Sequence, residues 1–128
     1  MDRLVNLTPH RINLYPPDTP DTIVPGTVRP RLVLEPSPDF PPARLGEQPL
    51  GTEPIEVGVP VTLVAYGASS GGTVRDLPPP CRGRWYVVAL AVGLAAHERD
   101  DLLVLHEAVR DTSNRMIGAR GLARPHRR

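Results

Sequence analysis

Arg84-Trp85-Tyr86-Val87-Val88-Ala89-Leu90-Ala91-Val92-Gly93-Leu94-Ala95-Ala96-His97-Glu98 is the stretch from which the fold is read. Its first five residues combine aromatic and β-branched side chains, the composition of a strand that is covered on its faces. From Ala89 onward the chain is apolar on every side of a helical projection, so a short helix at about 88–98, buried all round, is expected. Gly93 falls inside it. Since glycine costs a helix only about 1 kcal/mol against alanine, a close-packing position is expected there rather than a break.

Downstream, His97-Glu98-Arg99-Asp100-Asp101 forms a charged corner, and Leu102 to Leu105 follows as a core strand. Ala108-Val109-Arg110, a polar Asp111-Thr112-Ser113-Asn114 turn and Arg115 to Ala119 then predict a C-terminal β-hairpin. Residues 125–128 make a basic tail.

Upstream the chain changes character. Sixteen of the seventeen prolines stand at or before residue 80, and proline fixes φ and removes a backbone donor. Short strands separated by turns are therefore predicted: Leu4–Leu7, Ile12–Tyr15, Thr27–Leu34, Ile55–Val57 and Val59–Tyr66. Pro25-Gly26 reads as the centre of a type II turn. Residues 35–54 hold six prolines with little apolar periodicity, an excursion from the fold. Gly67 to Gly72 reads as a flexible turn, and Leu77-Pro78-Pro79-Pro80 as a stiff connector.

The expected class is thus α+β. A single compact domain over residues 1–124 is predicted, mostly antiparallel β, with one short buried helix and a C-terminal hairpin. Leu4, Leu14, Val61, Leu63, Trp85, Val87, Leu90, Leu94, Leu103, Val109 and Ile117 are the expected core.

Totals restrict function more than they assign it. The formal charge of +1 over 128 residues gives no global attraction to nucleic acid or anionic membrane. The longest uncharged apolar run is too short to span a bilayer. Cys81 is the lone cysteine; it fits a reducing compartment and permits no intrachain disulfide. The opening decapeptide carries Asp2, Arg3 and Pro9 without an apolar run, so no ordinary secretory signal and a cytoplasmic location are expected. All fifteen basic residues are arginine, a composition that agrees with GC-rich coding and is too numerous to be a ligand set.

The motifs that resemble catalytic ones fail on context. Gly67-Ala68-Ser69-Ser70-Gly71 has the letters of a nucleophile elbow, but a turn and prolines follow it instead of a helix. Cys81, between proline and arginine, reads as an incidental loop thiol. His97, Asp100, Asp101, His106 and Glu107 lack the paired close spacings of a structural zinc site, so no metal or cofactor is expected.

Asn6-Leu7-Thr8-Pro9-His10 is the most suggestive cluster, a proline-stiffened turn able to project three polar side chains from a strand end. Its competing explanation is a turn whose side chains bond their own backbone. Adding the charged corner and the hairpin start gives the expected ligand-binding set: Asn6, Thr8, His10, Arg99, Asp101, Arg110 and Asp111.

The same residues carry a resemblance. Val5-Asn6-Leu7-Thr8-Pro9-His10, Pro25-Gly26, Arg99-Asp100-Asp101-Leu102 and Val109-Arg110-Asp111 resemble a largely uncharacterised family of short actinobacterial and phage proteins. Two departures stand out. That family carries a serine where Ala89 lies, and Ala-Arg near the position of Arg29-Pro30-Arg31. The resemblance implies a mobile-element or phage-conflict setting.

The leading functional expectation is a non-enzymatic module that binds a small polar or anionic ligand. The alternative is a protein-interaction or homo-oligomeric structural protein that uses strand edges and the proline-rich segment as a docking arm. A small hydrolase, with His10 as acid or base, comes last.

Overall fold

The computed structural model describes residues 3–66, 74–96 and 98–125. The Gly67–Gly72 turn, His97 and all of the basic tail beyond Pro125 lie outside the described residues. Among these residues the chain is mostly β, with one short helix. In order it runs β1 (Leu4–Asn6), β2 (Ile12–Leu14), β3 (Leu32–Leu34), β4 (Arg44–Leu45), β5 (Glu47–Glu56), β6 (Val59–Tyr66), β7 (Val74–Arg75), β8 (Trp85–Val87), α1 (Leu90–Ala95), β9 (Leu102–Arg110) and β10 (Met116–Ala123).

Six strands form the main sheet in the order β1-β8-β9-β10-β2-β3. The expected core strands and terminal hairpin lie at its centre, β9 and β10 pairing antiparallel from Val104–Ala123 to Arg110–Met116. The main sheet is mixed, but of the seven strand pairings among the described residues four are antiparallel, β4–β7 and β5–β6 included. β1–β8, β8–β9 and β10–β2 are parallel, whereas β9–β10 and β2–β3 are antiparallel. Strands β1 and β2 adjoin in sequence but flank opposite sides of the C-terminal elements, and their connecting turn crosses from one side to the other.

The end strands then approach each other. Asn6 forms a parallel bridge with Pro36, and the N–H of Ser37 donates to the Asn6 carbonyl at 2.9 Å. This nearly closes the sheet into a barrel, the arrangement that leaves fewest unpaired edges. Leu4, Val87, Leu103, Ala119, Ile12 and Leu34, one from each strand, fill its interior.

Alternation puts the neighbouring residues outside. There Tyr86, Val88, Leu102 and Val104 form a second core with Leu7, Ala43, Val92 and Ala96. A third, smaller cluster of Tyr15, Ile23 and Val109 closes under the loop after β2. That loop contains the expected type II turn: Thr27 N–H donates to Val24 O at 3.1 Å, and Gly26 supplies φ of +87°. Gly118 must be glycine for another reason. A Cβ there would lie 2.3 Å from the carbonyl of Asn13 and 2.6 Å from the ring of Tyr15.

The helix corrects one expectation. It spans only Leu90–Ala95, lacks a side-chain N-cap, and buries just Val92 and Gly93, while Leu90 and Leu94 are each 60% exposed. Six residues cannot wrap a core around themselves. Val88 is held to β9 through Leu103, and α1 lies with one side on the outer face of the sheet. Gly93 is the point of closest approach, where a Cβ would meet Val104 Cγ1 at 2.9 Å.

The proline-rich excursion also falls differently. Residues Glu47–Glu56 are the first strand of a long hairpin with β6, turning at Val57-Gly58, where Gly58 has φ of +78°. Leu63, expected in the core, is on this hairpin and 44% exposed.

Candidate functional site: a projecting hairpin arm

The residues expected to hold a ligand are spent largely within the chain. Asn6 is buried, and its amide satisfies four contacts. Nδ2 donates to His10 O at 2.8 Å and to Leu34 O at 3.0 Å. Oδ1 accepts from Thr8 N at 2.9 Å and Thr8 Oγ1 at 2.7 Å. The Thr8 hydroxyl also lies 3.0 Å from His10 O. This network ties the β1–β2 turn to the end of β3. His10 itself is exposed, its ring makes no hydrogen bond among the described residues, and it lines none of the surface grooves described below.

Arg99 and Asp101 sit at the corner immediately before β9. They form a bidentate pair, Nε–Oδ1 and Nη2–Oδ2 both 2.8 Å, with the guanidinium carbon 5.9 Å from the centroid of the Tyr86 ring. The hydrogen bonds to Asp101 hold the Arg99 pKa above its ordinary value. Arg110 and Asp111 lie beyond the far end of β9, about 30 Å along an extended strand of this length. Arg110 Nη1 donates to Asn114 O at 3.2 Å. Asp111 Oδ1 accepts the N–H groups of Ser113 and Arg115, both at 2.9 Å, which caps the hairpin turn. Those bonds, the one from Arg115 first, hold the carboxylate below its usual range. The expected set is therefore divided among the β1–β2 turn, the corner before β9 and the turn after it.

One further arginine escaped the sequence reading. Glu107 has φ of +60°, which interrupts the alternation of β9 and puts its carboxylate beside Arg120. Arg120 Nε donates to Glu107 at 3.1 Å, and Nη1 to Thr19 O at 3.0 Å and Asp21 at 2.6 Å. Arg120 thereby fastens the loop after β2 to the sheet. Nothing in a single sequence distinguishes it from the other fourteen arginines.

The β5–β6 hairpin is different in kind. All ten residues of β5 are exposed, as are five of the eight in β6. Leu50, Ile55, Val57, Val59 and Tyr66 are each more than half exposed, Val57 at the turn reaching 94%. Its two strands pair with each other from Glu47–Tyr66 to Glu56–Val59 and, among the described residues, with no other strand. At about 3.3 Å per residue the arm is about 30 Å long. Strand β6 carries no charge, and β5 carries three glutamates and no arginine. Pro49 and Pro54, with register shifts beside each, interrupt the outer edge of β5, a device that discourages indiscriminate edge pairing.

Two adjoining grooves lie on the body where β1 and β3 fail to pair fully. The larger, about 470 Å³, is lined by Arg3, Leu4, Leu32–Leu34, Glu35, Pro36 and Pro38; the smaller, about 210 Å³, continues past Asn6 to Phe40 and Arg84. Among the described residues, no group of three or more His, Cys, Asp or Glu is placed to hold a metal ion, and no helix is long and apolar enough to cross a membrane.

Comparison with protein-family models, with curated proteins and with solved structures returned no match.

Proposed function

We propose that this protein is a protein-interaction module, with a barrel body that carries the β5–β6 hairpin as its docking arm. The observation behind this reading is the exposure of Leu50, Ile55, Val57, Val59, Leu63 and Tyr66 on a hairpin that, among the described residues, pairs with no other strand. An isolated two-stranded hairpin is at best marginally stable in water. Complete burial of each such side chain contributes about 1.5–3 kcal/mol. Six together are comparable to the roughly 4–15 kcal/mol that association costs. A small polar or anionic ligand has less to hold it, because the polar groups of Asn6, Thr8, Asp101 and Asp111 are committed inside the chain.

A photoreactive amino acid placed at Val57 in the full chain, expressed in its native cells, tests the reading. Irradiation is expected to give a protein adduct at Val57 and none at Asp18, an exposed position on the body. Equal yields at the two positions would overturn it.

A further inference from the structure

The arm and the body differ in charge. Residues 47–66 hold Glu47, Glu53 and Glu56 without an arginine, a net charge of −3. All fifteen arginines and the other eleven acidic residues lie outside this segment, a net charge of +4. An acidic arm repels a second acidic arm and is attracted to a basic body, so arm-to-body contact is favoured over arm-to-arm pairing.

The groove at the β1–β3 seam matches such an arm. Leu4, Leu32, Val33 and Leu34 are among the residues that line it, and Leu32 is 43% exposed. Arg3 lines it, and Arg29 and Arg31 stand in the exposed stretch leading to Leu32. None of the three has an acidic partner among the described residues, whereas Glu35 is paired with Arg11 at 3.1 Å. Strand backbone faces the seam too. Arg3 O and Leu7 N bond to β8, so strand alternation turns the N–H and C=O of Leu4 away from β8, toward the seam. An extended segment entering the groove meets apolar side chains, a strand edge and guanidinium groups at once.

Resting on the interaction-module reading, we infer that the partner is a second copy of this chain, whose β5–β6 arm occupies the β1–β3 groove. Because arm and groove are different surfaces, the contact is heterologous. Each copy that donates its arm leaves its own groove open, and copies add head to tail until a ring closes or a filament grows.

Light scattering on the eluting full chain, read against concentration, tests this. Wild type is expected to populate multiples of 13.9 kDa. The arm variant Glu53→Arg/Glu56→Arg and the groove variant Arg3→Glu/Arg31→Glu should each weaken association by at least about tenfold. Mixing the two variants should restore it, since each supplies the surface complementary to the other. Circular dichroism confirms that each variant is folded. Association that survives groove reversal, or is not restored on mixing, would overturn the groove assignment. A wild type that stays at 13.9 kDa at every concentration would overturn the second-copy partner. In either case a Val57 cross-link to another protein leaves the interaction-module reading standing.

Discussion

Arg99 and Asp101 grip each other through two parallel 2.8 Å hydrogen bonds beside the ring of Tyr86, with their side chains 15% and 13% exposed. The pair fixes the corner between α1 and β9, two residues apart in sequence and facing the same way. Removing the guanidinium leaves a carboxylate largely shielded from water without its partner. Arg99→Ala is therefore expected to destabilise the fold by about 1–3 kcal/mol. Arg99→Lys should recover only part of this, because an ammonium cannot reproduce the fork. Urea unfolding measures both, and a cost for Arg99→Ala within about 0.5 kcal/mol, the range of an ordinary surface change, would show the pair to be inert.

Asn6 and His10 should behave in opposite ways. Asn6→Ala strands the carbonyls of His10 and Leu34 and the N–H of Thr8, at an expected cost of about 2–4 kcal/mol. His10→Ala removes an exposed ring and should change stability by less than about 0.5 kcal/mol. Thermal melts of the two variants decide the matter. A large loss for His10→Ala would mean that its ring has a structural partner.

Asp111 gives the hairpin a pH dependence of defined sign. The N–H groups of Arg115 and Ser113 favour the carboxylate, so its folded-state pKa lies below the ordinary value of 3.8. A depressed pKa contributes stability that is complete above the unfolded value and is lost as pH falls through the folded one. Asp111→Asn should lower the melting temperature near neutral pH and flatten the part of its decline below about pH 4 that this group causes. Parallel acid limbs in the two proteins would contradict the assignment.

The sequence and the structure agree where local chemistry is strong and part where long-range pairing decides. Trp85–Val87, the Pro25-Gly26 turn and the hairpin around Asp111 were legible because β-branched residues, a Pro-Gly pair and a polar turn each act over a few residues. The parallel pairing of β1 with β8 and of β2 with β10 was not, since three-residue strands carry no mark of their distant partners. Leu90 and Leu94 misled because an apolar run reads the same whether its outer side meets a core or solvent. The Asn6 network was visible as an alternative from the first, since Asn and Thr beside proline commonly bond their own backbone. The arm was hidden by its composition. Prolines at 49 and 54 suggested a loop, and the strand-like stretch after Gly58 put Val61 and Leu63 in the expected core.

Hydrogen exchange of the full chain at low and high concentration asks whether the β5–β6 arm lies in the seam groove of another copy. A free two-stranded arm exchanges rapidly, whereas a docked one is protected. Protection across residues 47–66 is predicted to rise with concentration, together with that of Leu4 and Val33 at the groove. Exchange in the arm that stays rapid and independent of concentration would mean that the arm does not dock on another copy.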